Sequence, residues 1–336
     1  MATRAEVAKL AGVSPSTVSY ALNGNRSIKE ETRSRVLAAV AKLDYRPHLA
    51  AGALRGGKIK TLALLSPDGE LGIALIALEY INGASAGARD RGYQLVIWPS
   101  PEIEMPMIQN FAESGFISGV ILMEIKFEDN RIDFLRKADV PFAMIGRTKE
   151  LGEDLYVDRD FLKAAQKAVD YLHSLGHQKI AYLTTERGVG VDTRFSSALV
   201  EAAKSRNMST KKIRVVNEAT SGRDAFIELH NKSPEVTAVV SLNDIATLGF
   251  ISGANEYGVK IPKDLSLIAV DTPQNQIEMS WPPLTTVDLP AFEMGRLAST
   301  ILIDKIEGKV STAKQRLLTG DLVIRGTTAK APKVRL

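Results

Sequence analysis

The chain has 336 residues, 45% of them apolar and 24% charged, and no cysteine, the proportions of a globular protein of two or three domains. Lack of cysteine excludes a disulfide framework, a zinc finger, a thiolate nucleophile and a cysteine-ligated iron–sulfur cluster. No run of about 18 apolar residues offers a membrane span, and the charged start Met1-Ala2-Thr3-Arg4-Ala5-Glu6 is unlike a secretory signal, so a cytoplasmic protein is expected. The net charge of +4 hides an asymmetry. Residues 1–60 carry 11 Lys or Arg against 4 Asp or Glu, a net of +7, which leaves −3 for the rest of the chain. A basic end on a weakly acidic body is the footprint of a segment that meets phosphate, although a solvated basic face gives the same count.

From Arg4 to Asn23 the pattern predicts two short helices about a tight turn. Val7, Ala8, Leu10 and Ala11 mark the first, Gly12-Val13 the turn, and Ser14-Pro15 the N-cap and first position of the second. Ala8, Gly12 and Val18 supply a small contact residue, a turning glycine and an apolar closure, which is a helix-turn-helix. A third helix over residues 30–43 should cover these two with Val36, Leu37, Val40 and Leu43. Pro47 opens a short helical linker that the Gly56-Gly57 pair ends.

Beyond Thr61 the texture becomes α/β. Strands are expected over 61–65, 93–98, 119–123, 142–145, 180–183, 238–241 and 266–270, separated by helices over stretches such as 73–91, 160–175, 191–207, 221–231 and 246–257. Alternation with long helices predicts doubly wound parallel sheets, and some 270 residues are too many for one, so two similar halves should divide near 158–162.

The ordered motifs Val7-Ala8-Lys9-Leu10-Ala11-Gly12-Val13-Ser14, Thr17-Val18-Ser19, Leu22-Asn23-Gly24, Tyr45-Arg46-Pro47, Leu54-Arg55, Leu175-Gly176-His177, Arg194, Asn243-Asp244, Ile261-Pro262, Asp271 and Pro282-Pro283-Leu284-Thr285 together resemble the lactose- and galactose-repressor (LacI/GalR) family along almost the whole chain. The resemblance implies a headpiece over 1–46, a hinge helix or linker over 47–60 and a periplasmic-binding-protein-like effector and dimerisation domain over 61–330. The amino subdomain would comprise about 61–159 and 288–317 and the carboxyl subdomain about 160–287 and 318–330, with hinges near 158–162, 287–291 and 316–321.

The implied function is a homodimeric transcriptional regulator, most simply a repressor, whose affinity for a palindromic operator responds to a small polar effector such as a sugar or nucleoside, with no cofactor. DNA contacts are expected from Thr3, Ser14, Pro15, Ser16, Thr17, Ser19, Tyr20, Asn23, Arg26, His48 and Arg55, base edges being read by Tyr20 and Ser16, and from Leu54 as a minor-groove wedge. Effector contacts are expected from Ser66, Asp68, Phe161, Arg194, Asn243 and Asp271, with Asp244 as an alternative helix cap. Phe161 and Ser197 depart from common family residues and argue against transferring any one effector, and Gly52 departs within the linker helix, where glycine costs roughly 1 kcal/mol of helix stability.

Other features carry less. Gly52 to Lys58 has phosphate-loop spacing, but Ile59 stands where a hydroxyl is needed and the segment precedes the first strand. His173 and His177 are four apart but read as solvated or capping residues, and Trp281 as packed in preference to stacked on a ligand. The apolar helix start at 73–77 is expected at the dimer contact, and the tail from Arg325 lacks the heptads of a tetramer. A transport solute-binding protein would lack the headpiece, and no nucleophile elbow or dinucleotide fingerprint supports an enzyme.

Overall fold

The computed structural model describes residues 2–23, 28–45, 60–66, 75–99, 105–150, 152–185, 190–216, 218–309 and 314–332. The chain divides into two compact units, Met1–Ile59 and Lys60–Leu336. Arg26, the linker with His48, Leu54 and Arg55, and Asp68 lie outside the described residues.

In the first unit, α1 (Arg4–Ala11) opens with a capping box in which Thr3 and Glu6 satisfy each other's backbone amides. Gly12 ends it in the left-handed region, φ 65°, which is the conformation the turn requires of it. Ser14 then caps α2 (Pro15–Asn23), its hydroxyl accepting from the Thr17 amide at 3.1 Å. The third helix, α3 (Glu30–Lys42), closes a small core of Val7, Ala8, Ala11, Val18, Ala21, Val36, Ala39 and Tyr45. Leu37 is not part of it. At 46% exposure it lies on the outer side of α3, because the inward stripe runs through Val36, Ala39, Val40 and Leu43.

The second unit holds two six-stranded sheets. The amino-lobe sheet comprises β1 (Thr61–Ser66), β2 (Gln94–Pro99), β3 (Gly119–Leu122), β4 (Phe142–Ile145), β5 (Leu155–Arg159) and β11 (Gln315–Leu318), in the order β11-β5-β4-β3-β1-β2. The carboxyl-lobe sheet comprises β6 (Lys179–Thr184), β7 (Ser209–Arg214), β8 (Ala238–Ser241), β9 (Ser266–Val270), β10 (Thr285–Asp288) and β12 (Asp321–Val323), in the order β12-β10-β9-β8-β6-β7. Every pairing is parallel except β10 with β12. Chain order reverses between β1 and β3 and between β6 and β8, and such switch points leave a crevice outside the strands' carboxyl ends.

Helices cover both sheets. The amino lobe carries α4 (Leu75–Asp90), α5 (Met105–Glu113), α6 (Asn130–Lys137) and α12 (Ala291–Ile306). The carboxyl lobe carries α7 (Phe161–Ser174), α8 (Gly190–Ser205), α9 (Ala219–Lys232), α10 (Asp244–Glu256) and α11 (Gln274–Met279). The chain passes between the lobes three times, from β5 to α7, from β10 to α12 and from β11 to β12. Buried apolar clusters fill both faces of each sheet.

On α4, Ala77 is buried in the amino-lobe core while its neighbour Leu78 is exposed. Two side chains sit differently from the sequence expectation. His177 is fully buried, its Nδ1 2.8 Å from the Thr237 hydroxyl and its Nε2 3.1 Å from both Ser266 Oγ and the Ala329 carbonyl. It ties β6, β9 and the tail together instead of meeting solvent. Trp281 is 87% exposed, so it is not packed.

Candidate functional site

The headpiece offers an exposed helix start. Ser14, Pro15 and Ser16 are exposed, and Thr17, Ser19 and Tyr20 are partly so. Ser14 Oγ lies 2.8 Å from Ser16 Oγ and 2.9 Å from Thr17 Oγ1, a hydroxyl cluster at the amino end of α2 with Tyr20 one turn further. That end is favourable for an anion, because amide groups and the helix dipole point outward there. Exposed Lys9, Arg33 and Arg35 on the other two helices keep the unit basic. Thr3 is exposed but already engaged in capping α1.

In the body, the carboxyl ends of β3, β5, β8 and β9 converge on a cavity of about 90 Å³ between the lobes, lined by Tyr80, Glu124, Arg159, Asp192, Asn243, Asp244 and Asp271 among others. Asp271 holds its centre in the left-handed region, φ 56°, an uncommon conformation for a residue with a side chain. Its Oδ2 is 2.5 Å from the Arg159 guanidinium, and its Oδ1 accepts from the Tyr80 hydroxyl at 3.0 Å. The guanidinium also lies over two rings, 5.3 Å from the centre of Tyr80 and 5.2 Å from that of Phe161. Burial raises the Tyr80 hydroxyl well above the usual tyrosine range, which keeps it a donor. Burial also works against the Arg159 charge, but Asp271 and the neighbouring groups outweigh it and hold its pKa above the ordinary arginine value.

Beside this pair the Asp158 carboxylate is fully buried. Arg147 Nε stands 3.0 Å from its Oδ2 and Arg159 Nε 4.0 Å from its Oδ1, ion pairs in which neither carboxylate oxygen gains a hydrogen bond among the described residues.

The expected effector residues fall into three groups. Asn243 and Asp271 line the cavity. Asn243 also caps α10, its Oδ1 accepting from the Ala246 amide at 2.8 Å, so the cap is Asn243 and not Asp244. Asp244 takes the first helical position. Its Oδ1 accepts from the Ile245 amide, while Oδ2 is buried without a partner among the described residues. Arg194 and Phe161 stand away from the cavity lining. Arg194 reaches across to the amino lobe, donating to the Thr148 carbonyl at 2.7 Å and lying 4.8 Å from the Phe127 ring centre, and burial lowers its pKa. Phe161 packs edge-on against Phe195 in the carboxyl-lobe core. Ser66 ends β1.

Sequence reasoning missed Arg159 and Tyr80. The signal available was the run Asp158-Arg159-Asp160 directly after Leu155-Tyr156-Val157, charges at the end of an apolar strand. Among the described residues no group of three His, Asp or Glu is disposed to hold a metal ion, and no helix is long and apolar enough to cross a membrane.

Residues 3–48 match the profile of bacterial regulatory proteins, lacI family, and residues 169–328 that of a periplasmic binding protein-like domain. The chain is 30% identical over 345 residues to the HTH-type transcriptional repressor PurR of Klebsiella pneumoniae, covering 99% of both. It is also 30% identical to the HTH-type transcriptional regulator AglR of Rhizobium meliloti, covering 97% of this chain and 94% of that one. Its fold matches the transcriptional regulator CelR in a cellobiose complex, with TM-score 0.73, 25% identity and coverage of 97% and 100%. It also matches the lac repressor dimer bound to operator and the anti-inducer ONPF, with TM-score 0.85, 22% identity and coverage of 98% and 99%.

Proposed function

The chain belongs to the lacI family of bacterial regulatory proteins, and from that premise we propose that it is a cytoplasmic homodimer whose paired headpieces bind a palindromic operator under the control of a sugar, sugar derivative or nucleoside. As a family member it is a DNA-binding transcriptional regulator with an effector domain. The observation that carries the finer reading is the crevice itself, at the carboxyl ends of both sheets, with carboxylates and an amide at its wall and the Tyr80 hydroxyl opposite. Such groups suit a ligand rich in hydroxyl or amino donors. The CelR–cellobiose complex, at 25% identity over nearly the whole chain, supports a sugar-class effector. The described lining groups, carboxylates, an amide and a tyrosine hydroxyl, are suited to binding and orienting a polar ligand.

Dimerisation rests on exposed apolar surface. Met279 and Trp281 are 82% and 87% exposed on the carboxyl lobe, and Leu78, Val96 and Ile97 are exposed on the amino lobe. The decisive assay selects DNA sequences on the full-length protein and measures their retention with and without panels of sugars and nucleosides. Sequence-selective retention that one such compound changes is the expected result. Retention that is indifferent to every polar metabolite while an apolar one alters it would overturn the effector class.

A further inference from the structure

The two lobes meet through groups that satisfy one another. Tyr80 on α4 donates to Asp271, Glu79 on the same helix accepts from the Gln274 amide at the start of α11 at 3.1 Å, and Gly190 donates to the Ile125 carbonyl at 3.1 Å. The central contact is ionic. Arg159 and Asp271 retain only 9% and 7% side-chain exposure, and Arg159 is the last residue of β5, immediately before the first crossing between lobes. The cavity that remains, about 90 Å³, is well below the roughly 300–1,000 Å³ of small-molecule sites. The described side chains therefore leave little room beside Asp271. The group that sits on Asp271 is a cation of the chain itself.

The rest of the described lining is acidic. Among the described lining residues Arg159 is the one cation, committed to Asp271, while Glu124, Asp192 and Asp244 are carboxylates. Asp244 is only 6% exposed, and its Oδ2 has no hydrogen-bond partner among the described residues. An unsatisfied buried carboxylate oxygen is costly unless something else satisfies it.

We propose that Arg159 is a tethered occupant of the effector crevice: it takes the place on Asp271 that a ligand's donor group would take, holds the lobes together, and leaves Asp244 as the carboxylate the effector addresses. The effector is then a compound that brings an amino group or clustered hydroxyls to Asp244, and a phosphorylated or carboxylic ligand is repelled by the same wall. This inference rests on the effector-binding reading above and deepens it.

The test uses the ligand-free full-length chain. Arg159→Gln combined with Asp271→Asn removes both charges together, so neither is left stranded. The variant is expected to fold by circular dichroism, to show a larger radius of gyration in small-angle scattering, and to exchange amide hydrogens in α11 roughly tenfold faster. A double variant that scatters and exchanges like the parent overturns the proposal. So does one that fails to fold, because the pair would then hold the fold and not the relation between lobes. For the ligand contact, Asp244→Asn is expected to raise the melting temperature of the free protein. A fall or no change means that Asp244 serves α10, and removes it as the effector's contact. Neither readout involves DNA or effector, so the regulator reading stands or falls separately by the operator assay.

Discussion

A carboxylate at the end of a parallel strand is open to a ligand only when the chain has not already satisfied it. For Asp271 the consequence is measurable. Asp271→Ala would strand the buried Arg159 charge, and breaking a buried pair costs about 3–5 kcal/mol. Denaturant unfolding should register that loss, so a missing effector response in this variant would not by itself identify a ligand contact. His177 gives a second residue-scale prediction. Burial lowers its pKa, with partial opposition from the Ala329 carbonyl, so the folded value lies below the unfolded value of about 6.5. The unfolded chain then binds more protons, and the contribution is whole above about pH 6.5 and is lost as pH falls through it toward the folded value. Melting temperatures from about pH 7.5 to 5 should fall more steeply for the parent than for His177→Gln, and parallel curves would refute the assignment. In the headpiece, Tyr20→Ala should narrow the ratio of operator to random-DNA affinity by roughly tenfold, the scale of one base contact. Equal losses on both DNAs would place Tyr20 on phosphate. Tyr80 and Arg159 were hidden from the sequence for a simple reason: they lie 191 and 112 positions from Asp271, and no local pattern encodes such a meeting.

At the scale of elements, periodicity revealed what is apolar and long, and little else. The central strands β1, β3, β4, β8 and β9 are runs of buried aliphatics and were plain in the sequence. Strand β7, Ser209-Thr210-Lys211-Lys212-Ile213-Arg214, was not, because an edge strand shows polar side chains, and β5 ends in two charges that only the tertiary fold buries. Helix α6 is eight residues long and largely charged, so its pattern is short. The apolar pattern of helix α12 is broken by Gly295 and by Ser299, whose hydroxyl donates to the Ala84 carbonyl of α4 at 2.7 Å, so both residues make sense against α4. There the backbones approach so closely that a Cβ on Gly83 would strike the Phe292 carbonyl and one on Gly295 the Tyr80 carbonyl. Gly83→Ala should therefore destabilise the effector domain by about 1–3 kcal/mol through overpacking, despite alanine's better helix propensity. An unchanged or raised melting temperature would mean that α4 and α12 can separate freely.

For the whole molecule, the charge split and the order of motifs already implied a DNA-reading end and a ligand-holding body, because both properties are sums over many residues. Assembly is a property of surfaces: the sequence offered the apolar helix start at 73–77, and among the described residues Met279, Trp281, Leu78, Val96 and Ile97 are exposed apolar side chains. A tryptophan can bury about 150–250 Å², worth about 4–6 kcal/mol at roughly 25 cal/mol per Å², and a two-fold axis would use the residue twice. Met279→Ser with Trp281→Ser should therefore shift sedimentation from dimer to monomer while leaving the fold intact, since neither side chain packs within its own chain. Operator affinity should then fall roughly 10²- to 10⁴-fold, because the second headpiece loses the effective concentration that a linked partner supplies. Affinity for non-specific DNA, which one basic headpiece already provides, should fall much less. A double variant that still sediments as a dimer would remove this surface from the interface, and a parent protein that sediments as a salt-independent tetramer would overturn the two-headpiece arrangement altogether.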